Sequence, residues 1–223
     1  MSRICFEILS HARFAFELGW GASSFWFAPP EWFKASPSRL IEFSWLFGLT
    51  VWLIMAINSK SPSKREPLRE RVAHIAFIFA GFWLLDYDAP PWLSSLNRNF
   101  VPDARWIVWT GAVVTLAGIL FAIWARLIIG RNWSGDVQIK QGHELIRRGP
   151  YARIRHPIYT GLLLALAGTA LSVGEYRGLV AVAIVAIGFA RKARKEESFL
   201  AAQFGPAFDE NRRRTGFFLP RFS

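Results

Sequence analysis

The sequence predicts an all-α fold, a polytopic membrane bundle of about five transmembrane helices. Three observations carry this prediction: 52% of the 223 residues are apolar, the apolar residues fall into separate runs, and the basic residues gather between those runs. The formal charge of +11 does not indicate a soluble nucleic-acid-binding protein, since only 19% of residues are charged and the chain holds 20 Phe and 11 Trp. The same aromatic content excludes a disordered chain.

Five apolar runs are candidates for the membrane spans, and they cover residues 40–57, 72–85, 106–129, 158–173 and 178–190. A helix rises about 1.5 Å per residue and must cross about 30 Å of hydrocarbon, so the shorter runs need flanking aromatic or snorkelling basic residues. Only residues 174–177 separate the last two runs, which predicts a tight C-terminal helical hairpin. Glu17 and Pro29-Pro30 interrupt the stretch 14–33, for which we expect an interfacial or half-inserted helix.

The charged residues predict the orientation of the spans. The linkers after the first, third and fifth runs are rich in Lys and Arg, whereas the linker after the second run carries Asp86, Asp88 and Asp103. Under the positive-inside rule the basic linkers face the cytoplasm, with the N-terminus outside and the C-terminus inside. The start of the chain lacks an uninterrupted apolar stretch, so we expect no cleaved signal peptide. The single cysteine, Cys5, excludes an internal disulfide, and no residue spacing suggests a metal site.

Two polar segments, residues 131–159 and 191–220, bracket the predicted hairpin and therefore meet at one face of the membrane. The first segment contains two backbone breaks, at Gly149-Pro150 and His156-Pro157. Irregular backbone near a membrane needs water, protein or a ligand to satisfy its polar groups, and a bound polar cofactor would do so. Arg155, His156 and Tyr159 add a permanent cation, a group that titrates near neutrality and a phenol. Taken singly, each also fits an interfacial anchor.

The second segment places Glu196-Glu197 directly after four basic residues. This pattern fits a solvated helix face with an i,i+4 pair between Lys192 and Glu196. It also fits a ligand site, because carboxylates accept hydrogen bonds from ribose hydroxyls or an α-amino group, and neighbouring cations hold an anionic substrate. The sequence contains no P-loop, GxGxxG or GxSxG motif, so soluble nucleotide-binding folds and common serine hydrolases find no support.

The motif GHELIRRGPYARIRHPIYTG, followed after one hairpin by KEESFLAAQFGPAFDENRRRTGFFLP, resembles the isoprenylcysteine carboxyl methyltransferase family and its relatives the phospholipid N-methyltransferases. The resemblance covers roughly residues 130–220. It implies a membrane methyltransferase that uses S-adenosyl-L-methionine, with a cofactor pocket at the cytoplasmic face, on the inner membrane if the protein is bacterial. It divides the chain into N-terminal membrane helices with an interfacial segment, residues 1–129, and a methyltransferase core, residues 130–223.

The resemblance also assigns residues. Arg155 and Arg214 match arginines important to family activity, and Lys192 falls where the family places a basic substrate contact. Phe208 and Asn211 depart from the family, which often has tyrosines there. The implied cofactor contacts are Gln138, His143, Glu144, Leu145, Ile146, Tyr151, His156, Pro157, Ile158, Tyr159 and Glu196.

The implied reaction transfers a methyl group to a lipidated or amphiphilic acceptor, with carboxylate O-methylation favoured. Such an acceptor needs no general base, whereas an amine or thiol would need one, for which His156 is the nearest candidate. The expected partners are the bilayer and the acceptor, without nucleic acid or metal. The alternatives are a phospholipid or thiol methyltransferase, a membrane reductase of the sterol reductase type using NADPH, and a scaffold without turnover.

Overall fold

The computed structural model describes residues 36–57, 67–130 and 145–222, and within these ranges the regular elements are helices. The predicted all-α fold is confirmed. Two isolated backbone bridges, Asn99 with Glu175 and Ile154 with Gly216, are the β-type pairings in this part of the chain. The helices are α1 Pro37–Ile57, α2 Leu68–Asp86, α3 Arg105–Ile129, α4 Pro157–Val173, α5 Tyr176–Phe204 and α6 Pro206–Arg214, with 3₁₀ turns at Pro91–Asn97 and Gly149–Ala152.

Each predicted span lies within one of the first five helices. Two of them, α1 and α3, are individually long and apolar enough to cross a membrane. A third crossing is formed if α2 and the 3₁₀ turn Pro91–Asn97, bent by 74°, act as one broken span. The helix α4 is apolar but has only 17 residues, and α5 continues for 14 residues past the predicted boundary at Ala190 as a charged helix. A count of five spans therefore stays a prediction, and the stretch 14–33 lies outside the described residues.

Helix α3 is central to the bundle and α1 is peripheral. In the most apolar 18-residue stretch of each helix, only 6% of α1 is buried, against 39% of α3. The exposed residues of α1 include Phe43, Leu46 and Phe47, which are apolar side chains that a bilayer accommodates and water does not. The structure is thus an integral membrane protein with α1 on its lipid-facing side.

Helices α3 and α4 approach each other along a seam of glycines. A Cβ atom added at Gly118 would lie 2.4 Å from the backbone nitrogen of Ala165, and one at Gly161 would lie 2.6 Å from the backbone nitrogen of Ala122. Gly111 and Gly168 face the partner helix in the same way. Small residues at such positions let membrane helices pack backbone against backbone, where the hydrophobic effect supplies no attraction between them.

Hydroxyl groups add polar contacts to this seam. The Thr115 hydroxyl of α3 lies 3.2 Å from the carbonyl oxygen of Ala165 and 3.2 Å from the hydroxyl of Thr169, both on α4. The indole nitrogen of Trp45 in α1 donates to the same Thr169 hydroxyl at 3.1 Å. These bonds fix the register of α3 against α4 and attach α1 to them.

The predicted hairpin is confirmed, because α4 ends at Val173 and α5 begins at Tyr176. The turn uses Gly174 with φ of 75°, in the left-handed region that favours glycine. The buried Arg177 then donates from Nη1 to the carbonyl oxygens of Leu84, Leu85 and Tyr87 at 2.8–3.0 Å. A cation thereby caps the C-terminal carbonyls of α2, where the helix dipole is negative.

This arrangement places the start of α4 and the charged half of α5 at the same end of the bundle. The C-terminus of α3 lies at that end too, since Ala125 packs with Tyr151 and Ile158. The C-terminus of α1 joins it there, since Arg126 of α3 donates to the carbonyl oxygen of Met55 at 3.2 Å. The polar segments on either side of the hairpin therefore meet, as the sequence predicts.

Candidate active site

The backbone before α4 is held by the C-terminal segment of the chain. The amides of Arg155 and His156 donate to the carbonyl oxygens of Gly216 and Phe217 at 2.9 and 3.3 Å, and the Gly216 amide donates to Arg153 at 2.9 Å. The two proline-directed breaks thus expose backbone groups that the protein itself satisfies. The sequence left open whether water, protein or a ligand satisfies these backbone groups. For the amides of Arg155 and His156 the partner is the protein's own C-terminal segment.

Side chains from both polar segments form one cluster around His156. Its Nε2 atom lies 3.1 Å from Oε1 of Glu197, and its Nδ1 atom lies 3.5 Å from Oε2 of Glu196. The Tyr159 hydroxyl donates to Oε1 of Glu196 at 2.6 Å. Arg155 donates from Nε to Oε1 of Glu197 at 2.6 Å. The two ends of the hairpin are therefore joined by charged hydrogen bonds, which are among the stronger polar contacts in proteins.

Aromatic rings enclose this cluster on the bundle side. The Tyr159 ring stacks on Phe189 with 4.8 Å between centroids and lies 5.9 Å from the imidazole of His156. Phe217 meets the same imidazole edge-on at 5.0 Å, with Phe218 beside it. The carboxylates therefore lie at the boundary between an apolar wall and the polar end of the bundle.

The proton affinities in the cluster follow from burial and pairing. Burial alone would lower the pKa of His156, but the hydrogen bonds that its imidazole donates to Glu196 and Glu197, together with the charges of these carboxylates, outweigh burial, so the pKa is raised. Burial alone would raise the pKa of both carboxyls, but hydrogen bonding and charge from His156, with Tyr159 acting on Glu196 and Arg155 on Glu197, lower both values. The arrangement thus favours an imidazolium between two carboxylates.

Tyr151 and Ile158 pack together in an apolar cluster with Ala125 of α3. Burial, and then the charge of Glu196, raises the pKa of Tyr151 and keeps the phenol neutral. Ile146 packs against this cluster from outside, and Pro157 is fully buried as the first residue of α4. Leu145 is partly buried. Of the predicted cofactor contacts, Gln138, His143 and Glu144 lie outside the described residues.

The remaining predicted residues lie at the margin of the cluster. Lys192 is one turn before Glu196 on α5, and its charge helps lower the pKa of that carboxyl. Arg214 ends α6 with its side chain 69% exposed, where it pairs with Glu210 at 2.6 Å. The structure thus places Arg214 in a surface pair rather than in the cluster around His156. The two residues that depart from the family, Phe208 and Asn211, are both buried.

Sequence reasoning missed Glu197 as a site residue, although it binds both Arg155 and His156. The signal was present in the adjacent carboxylates, because neighbouring helix positions point about 100° apart and can therefore bind different partners. The aromatic wall of Phe189, Phe217 and Phe218 was missed as well, since single phenylalanines in an apolar chain carry no distinguishing pattern.

The fold and the site define a class of protein: a helical membrane protein whose C-terminal hairpin carries a polar, charge-paired site at one end. A solved structure titled as the eukaryotic intramembrane Ras methyltransferase ICMT, isoprenylcysteine carboxyl methyltransferase, has this fold. It aligns with a TM-score of 0.56 at 21% identity, over 84% of this chain and 69% of that one. The model of the isoprenylcysteine carboxyl methyltransferase (ICMT) family matches residues 110–202 of this chain.

Curated relatives match about half of the chain. The cobalt-zinc-cadmium resistance protein CzcN of Cupriavidus metallidurans is 32% identical over 126 residues, which are 54% of this chain and 56% of the relative. A probable protein-S-isoprenylcysteine O-methyltransferase of Oryza sativa subsp. indica is 30% identical over 109 residues, 47% of this chain and 57% of the relative. The chain thus spans a little over half the length of these relatives. The predicted resemblance is confirmed.

Proposed function

We propose that the protein is an S-adenosyl-L-methionine-dependent membrane methyltransferase that methylates the carboxylate of a lipidated or amphiphilic acceptor, of the isoprenylcysteine type. The observation that carries this proposal is the cluster of Arg155, His156, Tyr159 and Glu196. All four residues lie within the segment that matches the methyltransferase family. The bilayer is the proposed route for the acceptor, and the proposed site faces the cytoplasm.

The donor groups of the cluster fit the methyl donor. A carboxylate has about four lone-pair sites, and Tyr159 and His156 engage one oxygen each of Glu196, whose side chain is 28% exposed. The open side of Glu196 fits ribose hydroxyls or an α-amino group. The rings of Tyr159 and the phenylalanines offer flat apolar surface to a purine. We propose that the donor is held by Gln138, His143, Glu144, Leu145, Ile146, Tyr151, His156, Pro157, Ile158, Tyr159 and Glu196. When bound, it supplies a methyl group already activated on a sulfonium.

Arg155 is proposed to orient the acceptor carboxylate. Its Nε atom binds Glu197 and its Nη1 atom donates to the carbonyl oxygens of Arg212 and Thr215, so the guanidinium has one fixed orientation. Its Nη2 atom makes no hydrogen bond to the described residues and is the atom we assign to the acceptor. Lys192 and Arg214 are proposed as further contacts to substrate, with Arg214 acting in turnover.

The charge state of His156 favours a carboxylate acceptor over an amine or thiol. An imidazole with a raised pKa between two carboxylates holds its proton and is a poor general base near neutral pH. A carboxylate nucleophile needs no base, so the remaining tasks are alignment of the two reactants and exclusion of water.

The test is methyl transfer by purified protein from labelled S-adenosylmethionine to an isoprenylated cysteine. We expect base-labile label on the free carboxylate and none on the matched carboxamide, with turnover at least tenfold lower in Arg155→Gln and unchanged in the exposed control Arg153→Gln. Base-stable label, or equal labelling of acid and amide, would contradict carboxylate methylation.

A further inference from the structure

A cavity of about 270 Å³ lies between α2 and α5, beside the cluster around His156. Its α5 side carries Arg191, Lys192, Arg194 and Lys195, and its α2 side carries the one carboxylate of the lining, Glu70. Four permanent cations against one carboxylate make the cavity strongly positive. A concave site of this sign attracts anions, because the surrounding low-dielectric protein focuses the field of the cations.

The apolar part of the lining explains why the cavity exists. Gly188 of α5 faces Phe77 of α2 so closely that an added Cβ would lie 2.6 Å from the Cβ atom of Phe77. The helices meet at this point, and the cavity opens beyond it toward the charged end of α5. The guanidinium of Arg191 lies over the Phe77 ring at 6.0 Å, a cation–π contact that holds this cation at the wall.

Farther along the same two helices, in the direction of their apolar halves, the surface is hydrophobic. Phe79 on α2 is 74% exposed and Ile187 on α5 is 55% exposed. In an integral membrane protein these faces contact lipid, so the cavity lies where a bilayer changes from hydrocarbon to headgroups. The charge and the position together select a ligand with an anionic head and an apolar chain.

We propose that this cavity binds the anionic headgroup, a phosphate or a carboxylate, of an amphiphile whose chain lies against the exposed faces of α2 and α5. Two sources share this chemistry: a resident anionic phospholipid and the methyl acceptor itself. Lys192 links the cavity to the site, since it lines the cavity and lies one turn from Glu196. The acceptor version rests on the proposed function, whereas the phospholipid version does not.

The first measurement is binding of phosphatidylglycerol and phosphatidylcholine with identical chains to the full-length protein in neutral detergent, followed by native mass spectrometry. We expect preference for phosphatidylglycerol and a loss of about fivefold in affinity for each basic residue removed in Arg191→Gln and Lys195→Gln. The control pair Arg212→Gln and Arg213→Gln removes the same charge from α6. Equal losses in both pairs would show that total charge acts rather than the cavity, and would overturn the proposal.

Two further variants should change the affinity for phosphatidylglycerol in opposite directions. Glu70→Gln removes the one carboxylate of the lining and should tighten phosphatidylglycerol binding several-fold. Ala73→Phe fills the cavity without changing charge and should weaken it, whereas Ala76→Phe, on the exposed face of α2, should not. Unchanged or weaker binding in Glu70→Gln contradicts the proposal even if Ala73→Phe fails to fold.

Kinetics of the Arg191→Gln and Lys195→Gln protein distinguish the two sources. If the acceptor occupies the cavity, KM for an isoprenylated cysteine rises fivefold or more while kcat is unchanged. If a phospholipid occupies it, KM is unchanged while phosphatidylglycerol affinity falls. Absence of methyl transfer in the unaltered protein would sink the proposed function and leave the phospholipid measurement valid. If KM for the isoprenylated cysteine and the affinity for phosphatidylglycerol are both unchanged in this variant, the proposal is overturned.

Discussion

Glu196 and Glu197 are adjacent in sequence but bind different partners from the segment before α4. Glu196 accepts from Tyr159, and Glu197 accepts from Arg155, while His156 lies between the two carboxylates. Each side chain is partly buried and each is paired, so removing one partner leaves a poorly solvated charge behind. The cluster therefore acts as a unit, and single substitutions within it are expected to have large effects.

The first prediction concerns the carboxylate proposed to hold the methyl donor. Glu196→Gln keeps the side-chain volume but removes the charged acceptor, and hydrogen bonds to charged groups are worth about 1.5–3 kcal/mol. Binding of S-adenosylhomocysteine, measured by calorimetry in detergent, should weaken about tenfold to a hundredfold. Asp209→Asn, an exposed acid of α6, is the matched control and should bind as the unaltered protein does. Equal affinity in both variants would show that Glu196 is not a cofactor contact.

The second prediction concerns pH. The folded pKa of His156 is raised above 6.5, so the stability from its charged form is fully present below that value and is lost as pH rises through the folded pKa. The folded pKa of Glu196 and of Glu197 is lowered below 4.5, so their contribution is present above that value and lost in acid.

The melting temperature in detergent, compared between the unaltered protein and His156→Gln, checks this prediction. We expect the unaltered protein to be the more stable near pH 6 and its advantage to shrink as the pH rises. An advantage that stays constant from pH 6 to pH 9 would mean that the imidazole is not charged in the folded protein.

At the scale of elements, the pairing of α3 with α4 and the hairpin of α4 with α5 position the site. The glycine seam holds α3 and α4 in one register, and Arg177 ties the far end of the hairpin to the last turn of α2. At the near end, the segment from Thr215 onward bonds to the backbone of Arg153, Arg155 and His156. The start of α4 is therefore fixed from both ends of the bundle.

The third prediction tests the seam. Gly118→Leu should destabilise the protein, because its Cβ would lie 2.4 Å from the backbone nitrogen of Ala165, which cannot move without separating the helices. Overpacking of this kind costs about 1–3 kcal/mol or more. Ala117→Leu introduces the same side chain on the exposed face of α3 and should be neutral. Thermal unfolding in detergent compares the two, and similar melting temperatures would count against a tightly packed seam.

Sequence patterns predicted the helices and the hairpin because apolar runs and a short polar turn are local signals. A helix face through Lys192 and Glu196 was one interpretation of the sequence, but the continuity of that helix with the last apolar run was not predicted, since hydropathy marks the end of an apolar run and not the end of a helix. The backbone bonds of Gly216 and Phe217 to the start of α4 were also beyond sequence, because residues about sixty positions apart leave no periodic trace. Arg155, His156, Tyr159 and Glu196 were identified because breaks, charges and a family motif coincide there. Their roles stay predictions.

At the scale of the molecule, charge and polarity divide the bundle into two ends. One end carries Arg155, Lys192 and the other basic residues around the cluster, and the opposite end carries Asp86 and Asp88 beside Arg177. Many of the basic residues behind the net charge of +11 thus lie at one end of the bundle, and the positive-inside rule predicts that this end faces the cytoplasm.

The fourth prediction tests this orientation in a bacterial host. A reporter enzyme fused after Ser223 and active only outside the cytoplasm should stay silent, and the same reporter fused in the loop at Asp88 should be active. Activity of the C-terminal fusion would reverse the proposed topology and place the site on the other side of the membrane.

The most direct test of the central claim is the ligand preference of the purified protein. Calorimetry in detergent should show binding of S-adenosylhomocysteine and no comparable binding of NADPH, because Glu196 and its neighbours match a ribose or an α-amino group. Preference for NADPH would contradict the account and favour a reductase, and binding of neither ligand would indicate a scaffold without turnover.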